Sequence, residues 1–520
     1  MPHSYANNYR VLVDWNNDGD YDDTHDDITS DVLSLQWRRG RDYASQLTGK
    51  SSAGKLQAVL INTDGKYSPS NTSSALTGSI LPGRAVRLQS GSGDFAYDFP
   101  LVFDSNPQFV GFLEEIVPAP SSKGIKTVKL TAYGALGYLN DFAPSLTTQT
   151  SRRTDQAIGD ILDDVGWPAG DRDLATGQTT MTRFWVDGPQ TIKALRIVEE
   201  TEAGFIKETK DGKIAFESRH TRLSSPYDTS QATFSDASGA DNTYSAITQQ
   251  DPLSTITNHL EASSRTYATA GVANLWTHGE TGSDSPTLVP GEAKTYEALY
   301  PNPSAANNAL EVNAWTTPAA TTDYTANTAS DGSGTDRTSD ITIGQSKTAE
   351  RMAITLTNGH ATDTVYLTKV AARGTAVTSN DPVKVRAIDG TSQGIYGERK
   401  YKANTDFLPS SLEAQSWCDY QLSVYSSPIE ILAMTFSVNA SHANRTQSLL
   451  RDISDRITIV ATNDANLGIN ADFFIETVTH SIKPGGMHDV TWHLSPATGG
   501  YSAFWVLDKG KLGESTVPAY

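Results

Sequence analysis

The stretch Leu432-Ala433-Met434-Thr435-Phe436-Ser437-Val438 places large apolar residues at every second position. A period of two is typical of a β-strand with one buried face. The same alternation occurs at Leu56, Ala58 and Leu60, and a turn-forming Asn-Thr-Asp-Gly sequence follows at 62–65. The two patterns therefore predict β-rich regions near both ends of the chain.

These two regions and the patterns between them predict a mainly β architecture with a small α+β segment. It consists of two β-barrel or β-sandwich domains and one inserted β-sandwich. The predicted boundaries are 1–145 for the N-terminal β-domain, 146–281 for the α+β segment and connecting strands, 282–380 for an inserted accessory domain, 381–500 for the C-terminal β-domain and 501–520 for a tail. The inserted domain is recognised by its Ser-, Thr-, Ala- and Asn-rich composition and by short strands between turns.

Helical periodicity appears in the α+β segment and again before the last β-domain. Apolar residues spaced three and four apart predict a helix near 154–165 with Thr154 as its N-cap, and a second helix runs from 191 to 203. Asp211-Gly212 predicts a hairpin with a type I′ turn. Ser410 and Glu413 fit a capping box, and Cys418 lies on the apolar face of the helix that follows, as a core residue.

Composition excludes several classes of protein. The chain has 520 residues and a formal charge of −19, so attraction to DNA phosphates is not expected. No stretch is long and apolar enough for a membrane span, and the N-terminus lacks the pattern of a secretory signal. A single cysteine rules out intrachain disulfides.

An acidic segment follows the first predicted strand. Its oxygen-bearing side chains recur at alternate positions around a glycine, Gly19, and are Asp14, Asn16, Asp18, Asp20 and Asp22. This resembles the first half of an EF-hand calcium loop, in which alternate oxygens converge on one cation. The twelfth position is His25 instead of a bidentate glutamate, which favours a simple acidic turn. Calcium is therefore a candidate ligand, and no other cofactor is expected.

Motifs for catalysis are missing or incomplete. The segment 49–56 nearly matches a P-loop, but Leu56 follows the lysine where Ser or Thr is required, and the pattern continues as a strand. Gly-x-Ser-x-Gly and His-Glu-x-x-His do not occur. In the last predicted hairpin, His480 and His488 share one face and His493 points the other way, so three histidines cannot converge, and surface or half-buried positions are expected. The sequence predicts a protein that is not an enzyme.

Several segments together resemble a known family more closely than their separate patterns suggest. In the first region they are Val11-Leu12-Val13-Asp14-Trp15, Asp18-Gly19-Asp20, the segment 32–42, Gly54-Lys55-Leu56, the segment 62–69 and Leu81-Pro82-Gly83-Arg84. Later they are the segment 204–219, Tyr396-Gly397-Glu398-Arg399, Ser454-Asp455-Arg456-Ile457 and Phe474-Ile475-Glu476. These segments look like those of tail-tip (baseplate) hub proteins of long-tailed, siphophage-like bacteriophages. The resemblance covers most of the chain outside 282–378.

The resemblance implies a structural virion component at the distal end of the tail. Hub proteins of this kind are trimers whose two tube-like β-domains per subunit match a hexameric tail tube above and a fibre or spike below. The implied partners are further copies of the chain, the distal tail or tail tube protein, the tail fibre or spike protein and the tape measure protein. DNA would pass through the ring during ejection into the host without specific binding, and the acidic charge suits such a lumen.

Two alternatives remain open at this point. One is a hexameric distal tail protein, which the number of copies would distinguish from a hub. The other is a tail protein that binds host glycan through the 282–380 insert, using exposed rings such as Tyr296, Trp315 and Tyr324. The competing expectation for these three aromatic residues is that they fill the core of the insert.

Overall fold

The computed structural model describes residues 9–41, 50–91, 106–119, 124–250, 253–300, 309–403, 405, 407–497, 504–505 and 517–518. Strands predominate over helices in these ranges, which confirms the mainly β prediction. Across the same ranges, no helix has the length and apolar character needed to span a membrane. Of the predicted tail at 501–520, only two short parallel strands are described, β29 (Phe504–Trp505) and β30 (Val517–Pro518).

The N-terminal β-domain is one antiparallel sheet. Its strands are β1 (Tyr9–Val13), β2 (Val32–Arg41), β3 (Ser51–Ile61), β4 (Ala85–Ser90), β5 (Pro107–Ala119) and β6 (Thr127–Tyr133), in the spatial order β1-β4-β5-β6-β3-β2. The short helix α1 (Ala135–Leu139) follows. The alternating apolar residues of β3 and β6 are fully buried, so their period of two reflects one face turned to the core. Because β3 is a strand, the segment that nearly matches a P-loop does not open a helix.

The C-terminal β-domain extends this sheet instead of closing a second barrel. Its strands are β25 (Ile431–Ser437), β26 (Arg456–Ala461), β27 (Ile469–Ile482) and β28 (His488–Pro496), with the helix α6 (His442–Leu450) between β25 and β26. Strand β2 pairs antiparallel with β27 from Leu35↔Ile482 to Gly40↔Thr477. Ten strands from the two β-domains and two further strands, at 233–235 and 246–250, therefore form one continuous sheet of twelve, and none of the described strands closes it into a barrel.

Gly40 allows the two β-domains to approach closely. It has a φ of 126°, and a Cβ atom at this position would lie 2.6 Å from the Cα of Thr477. The pairing of β2 with β3 also shifts register between Arg38 and Gly40, which marks a bulge. Only glycine fits both the backbone conformation and the contact with β27.

The α+β segment packs two helices over short strands. Its elements are β7 (Gln149–Arg153), α2 (Thr154–Asp164), β8 (Arg172–Leu174), β9 (Thr180–Phe184), α3 (Thr191–Glu202), β10 (Phe205–Glu208) and β11 (Ile214–Glu217). Thr154 is the first helical residue and not the N-cap, which is Arg153; the Thr154 hydroxyl donates to Glu202 instead. The hairpin β10–β11 is present, but its turn is not type I′, because only Gly212 has a positive φ at the turn.

The insert is a sandwich of two sheets around its own core. Its strands are β15 (Tyr267–Thr277), β16 (Thr287–Leu288), β17 (Ala293–Leu299), β18 (Ala309–Trp315), β19 (Tyr324–Asn327), β20 (Ile341–Lys347), β21 (Arg351–Asn358) and β22 (Val365–Ser379). The long strand β22 pairs with β15, β16, β18 and β19, and β21 pairs with β17 and β20. The sheet thus includes a strand that precedes residue 282, where the composition changes.

The remaining elements flank the insert in the chain, three before it and four after it. They are β12 (Thr233–Ser235), β13 (Ala246–Gln250), β14 (His259–Ser264), β23 (Val383–Ile388), α4 (Gly390–Tyr396), β24 (Lys400–Lys402) and α5 (Ser411–Tyr425). Ser410 caps α5 by accepting from the Glu413 amide at 3.2 Å, and Cys418 is buried, as the sequence predicts. Strands β12 and β13 are short and polar, and they form by pairing with the apolar strands β26 and β25.

Candidate functional site

A cluster of buried and partly buried charged residues joins the two β-domains to the α+β segment. We call it the ionic junction. Its members come from β2, the β10–β11 hairpin, the turn that follows it, and the segment around β26 and β27: Arg39, Arg41, Lys207, Glu208, Glu217, Arg222, Asp452 and Glu476. Isolated buried charges are costly, so these groups are retained only because each has partners.

Glu476 is the centre of the ionic junction. It lies at a register shift in β27, at the point where pairing with β26 ends and pairing with β2 begins. Its carboxylate accepts from Arg41 at 2.7 and 2.9 Å, from Arg222 at 2.7 and 3.1 Å and from the Ser495 hydroxyl at 2.6 Å. Burial alone raises the pKa of Glu476, but the charges of Arg222 and Arg41 outweigh it and hold the pKa well below its usual value.

The β10–β11 hairpin is held to the C-terminal β-domain by a second pair. Lys207 and Glu217 form a buried ion pair, Lys207 donates to the Ile453 carbonyl at 2.7 Å, and the Ser454 hydroxyl donates to Glu217 at 2.6 Å. Burial lowers the pKa of Lys207, but Glu217 opposes it and the net pKa is raised. The lysine therefore remains charged, and the hairpin is anchored from both strands.

Arg39 links all three parts through one side chain. Its guanidinium donates to the Asp452 carboxylate at 2.9 Å and to the Glu208 carbonyl at 3.0 Å. Burial raises the pKa of Asp452, yet Arg39 and Lys207 outweigh it and lower the net pKa. A single residue of β2 thus connects the α+β hairpin and the C-terminal β-domain.

Glu208 occupies a pocket built by two glycines. Its carboxyl group accepts from the Gly54 amide at 2.7 Å and from the Leu136 amide at 2.6 Å, and a Cβ atom at Gly54 or Gly134 would collide with it. Burial is the largest influence and raises the pKa of Glu208 to about 7. Gly54, the glycine of the P-loop-like segment, therefore serves a contact within the protein.

A second buried polar group lies on the seam between β2 and β27. His480 stacks on Trp37 with ring centroids 4.2 Å apart, its Nδ1 lies 3.0 Å from His488 Nε2, and the Tyr9 hydroxyl lies 2.9 Å from His488 Nδ1. The predicted register is confirmed, since Ile482 opposes His488 and His480 opposes Val490. The predicted surface or half-buried position is wrong for His480 and His488, because the other β-domain covers both; His493 is half-buried.

Next to the ionic junction lies a small polar cavity of about 80 Å³. Its lining includes Arg41, Glu217, Arg222 and, on the other side, Tyr401 and Trp417. Sites for small-molecule ligands usually measure ~300–1,000 Å³, and one water occupies ~30 Å³ of liquid. The cavity therefore suits a few waters that serve the surrounding charges.

The acidic loop is ordered around Asp14. This carboxylate is buried and accepts from the backbone amides of Asn17, Asp18 and Gly19, the last at 3.0 Å. Asn16 donates to Asp18 at 2.7 Å, and Asp20 and Asp22 are exposed. In the described part of the chain, no group of three or more His, Cys, Asp or Glu residues is arranged to hold a metal ion. Calcium binding by this loop stays a prediction.

The aromatic residues considered for glycan binding lie in or against the core of the insert. Trp315 and Tyr324 are both 8% exposed, and the Trp315 indole donates to the Thr348 carbonyl at 2.8 Å. Tyr296 is half-buried and packs against the same core. The expected exposure is therefore wrong for Trp315 and Tyr324, because the two sheets of the insert close over both rings.

Sequence patterns do not reveal the ionic junction. The available signal was charge inside strand patterns, at Arg39 and Arg41 of β2 and at Glu476 of β27. In a strand with one solvent-exposed face, charged residues normally lie on that face. Only the pairing of β2 with β27 turns them into buried partners.

Similarity to known proteins is found among solved structures and not among sequences. No family model matches the sequence, and no curated protein matches it significantly. Among solved structures, a tail protein from Neisseria meningitidis MC58 is 10% identical with a TM-score of 0.50, and the match covers 95% of this chain and 98% of that one.

Two further structures match over most of their length. The 43 kDa tail protein of prophage MuSo2 from Shewanella oneidensis is 10% identical with a TM-score of 0.47, and the match covers 94% of this chain and 97% of that one. Prophage tail protein gp18 from Listeria monocytogenes EGD-e is 8% identical with a TM-score of 0.41 and coverage of 94% on both sides. The Neisseria match, which spans nearly both whole chains, shows that this chain has the fold of a tail protein, as the resemblance in its sequence predicts.

Proposed function

We propose that the protein is a structural component of a virion tail and acts as a trimeric tail-tip hub. In this role it joins the hexameric tail tube or distal tail ring to the tip fibre or spike and forms part of the DNA conduit. The observation that carries the proposal is the continuous sheet, in which β2 and β27 fuse the two β-domains and the ionic junction fastens them. A rigid two-domain unit suits a ring that must transmit force.

One end of this sheet supports assembly with further copies. At one end, β13 pairs with β25, and no other described strand covers its outer edge. Most residues of β13 are exposed. Open strand edges tend to pair with another chain or to be covered in an assembly. The trimer supplies such a cover, whereas an isolated chain leaves this edge in water.

The charge of the chain fits a conduit that DNA crosses without binding. The formal charge is −19 per chain, and a lumen that carries acidic residues repels phosphates and lowers friction on the passing strand. The small cavity beside the ionic junction offers no room for a substrate of ordinary size.

Native mass spectrometry of the full-length protein tests this proposal. Three copies of the 56.0 kDa chain are expected. Six copies would contradict the hub and favour a distal tail protein, and a monomer at micromolar concentration would contradict both. Gold-labelled antibodies against the insert, applied to intact tails, should mark the distal end; labelling along the tube would contradict the proposed location.

A further inference from the structure

The insert meets the α+β segment along a seam of polar contacts. The Thr148 hydroxyl donates to the Val312 carbonyl at 2.9 Å, and the Ala349 amide donates to the Leu146 carbonyl at 2.8 Å. Thr348 donates to Asp187 at 3.1 Å. The two parts have separate apolar cores, so opening the seam would leave both cores intact.

Glu311 lies in this seam without a hydrogen bond. It is 1% exposed, and neither of its carboxyl oxygens has a partner among the described residues. Its neighbour Val312 accepts the hydrogen bond from Thr148 across the seam and donates to the Ala349 carbonyl within the insert. A buried polar group with no partner is rare in native proteins and calls for an explanation.

The charged groups around Glu311 do not neutralise it. Glu350 of the insert and Arg183 of the α+β segment face it, Asp187 faces Glu350, and Tyr300 lies near Glu311. Burial is the largest influence, Glu350 adds to it and Arg183 opposes it, so that the pKa of Glu311 rises to about 9. Burial and Asp187 also raise the pKa of Glu350. At neutral pH, Glu311 is therefore an uncharged acid.

We propose that this seam is a proton-dependent latch: the insert docks on the α+β segment with Glu311 protonated, and ionisation of Glu311 releases the insert. The physical reason is desolvation. An ionised carboxylate without donors costs several kcal/mol when buried, and separation of the seam returns it to water. The remaining contacts include hydrogen bonds from Arg183 to Asn313 and Thr269 and one edge-on ring contact between Trp185 and Tyr267. Water can replace the polar contacts at small cost.

A distance measurement between the two parts tests the latch. Spin labels are attached to cysteines that replace the exposed residues Lys193 in α3 and Ser346 in β20. Buried Cys418 stays unlabelled in the folded protein. Double electron–electron resonance spectroscopy should show one short distance between the two spin labels at pH 7. Between the pKa of a glutamate in water, about 4.3, and the raised pKa of docked Glu311, the ratio of released to docked molecules should rise about tenfold per pH unit. Above the raised pKa, where Glu311 is ionised in both states, the ratio should level off.

Glu311→Gln is the decisive variant, because it keeps the shape of the side chain and removes the charge. It should hold the short distance across the whole pH range. The matched control is Glu297→Gln, which removes an exposed carboxylate from β17 of the same insert and should behave like the parent. Equal pH dependence in the parent and Glu311→Gln, or no release in either protein, would overturn the proposal.

Infrared spectroscopy gives a readout that does not depend on movement. At pH 7, the parent should show the carbonyl stretch of a protonated carboxylic acid, and the difference spectrum against Glu311→Gln should isolate it. Loss of this band should coincide with release in the distance measurement. A difference spectrum without the band would show that Glu311 is ionised while docked and would contradict the latch.

Discussion

Arg41 of β2 donates two hydrogen bonds to the carboxylate of Glu476 in β27, at 2.7 and 2.9 Å. The two residues are separated by 435 positions in the chain, and they meet because the two strands are neighbours in one sheet. Glu476 has no exposed surface. The contact therefore joins the first and last β-domains through a carboxylate that is fully buried.

Replacement of Glu476 by Gln should destabilise the whole protein. The change leaves the buried charges of Arg41 and Arg222 without their carboxylate, and breaking a buried ion pair from one side costs about 3–5 kcal/mol. Urea unfolding followed by circular dichroism measures the loss. The control is Asp489→Asn, which removes the half-buried partner of the exposed Lys483 and should cost less than about 1 kcal/mol. Equal losses in both variants would show that the ionic junction contributes no more than a surface pair.

Acid should weaken the contact between β2 and β27 that contains His480 and His488. Burial, the largest influence, lowers the pKa of His488 from 6.5 to about 3, and burial also places the pKa of His480 well below 6.5. The neutral forms belong to the folded state, so their contribution to stability is complete above pH 6.5 and is lost as the pH falls toward 3. Each histidine should cost about 1.4 kcal/mol per pH unit in this window.

Urea unfolding at pH 7, 6, 5 and 4 measures this slope. The variant His488→Gln keeps a polar side chain and should show a smaller slope than the parent, whatever its stability at pH 7. Carboxylates elsewhere titrate at the lower end of the window, so the comparison between parent and variant decides. Identical slopes would contradict the prediction that His488 contributes to the loss of stability in acid.

The contact of Glu208 with Gly134 predicts a steric effect. Gly134 has a φ of −72°, which any residue adopts, but an added Cβ atom would collide with the Glu208 carboxyl group. Gly134→Ala should therefore lower the free energy of unfolding by about 1–3 kcal/mol through overpacking. Gly170→Ala, where an added Cβ atom meets open space, is the matched control and should cost less than about 1 kcal/mol. A tolerated alanine at 134 would show that Glu208 can move aside.

The acidic loop should depend on Asp14 more than on metal. Asp14→Ala removes the acceptor for three backbone amides and should lower the free energy of unfolding by about 1–3 kcal/mol, with or without a chelator. Asp22→Ala, at an exposed position, is the control. A rise in the melting temperature of the chelator-treated parent on adding millimolar calcium, absent in Asp18→Asn, would instead support the calcium site.

Local features followed directly from the sequence. The alternation at Leu432, Met434 and Phe436 became a buried strand face, the Ser410 cap holds the start of α5, and the register of the last hairpin placed His480 and His488 on one face. Each depends on interactions between residues close in the chain, such as side-chain period, a cap or a loop length. Such interactions can be read from sequence because neighbours constrain each other's geometry.

The tertiary structure alone decided how the two β-domains join. Whether Arg41, Glu476 and the two histidines face water or protein depends on which strand lies beside β2, and that neighbour comes from the other end of the chain. The burial of Glu311 depends in the same way on where the insert docks. Sequence patterns specify that a residue is charged or lies in a strand, whereas desolvation, which determines its energy and pKa, depends on contacts between distant segments.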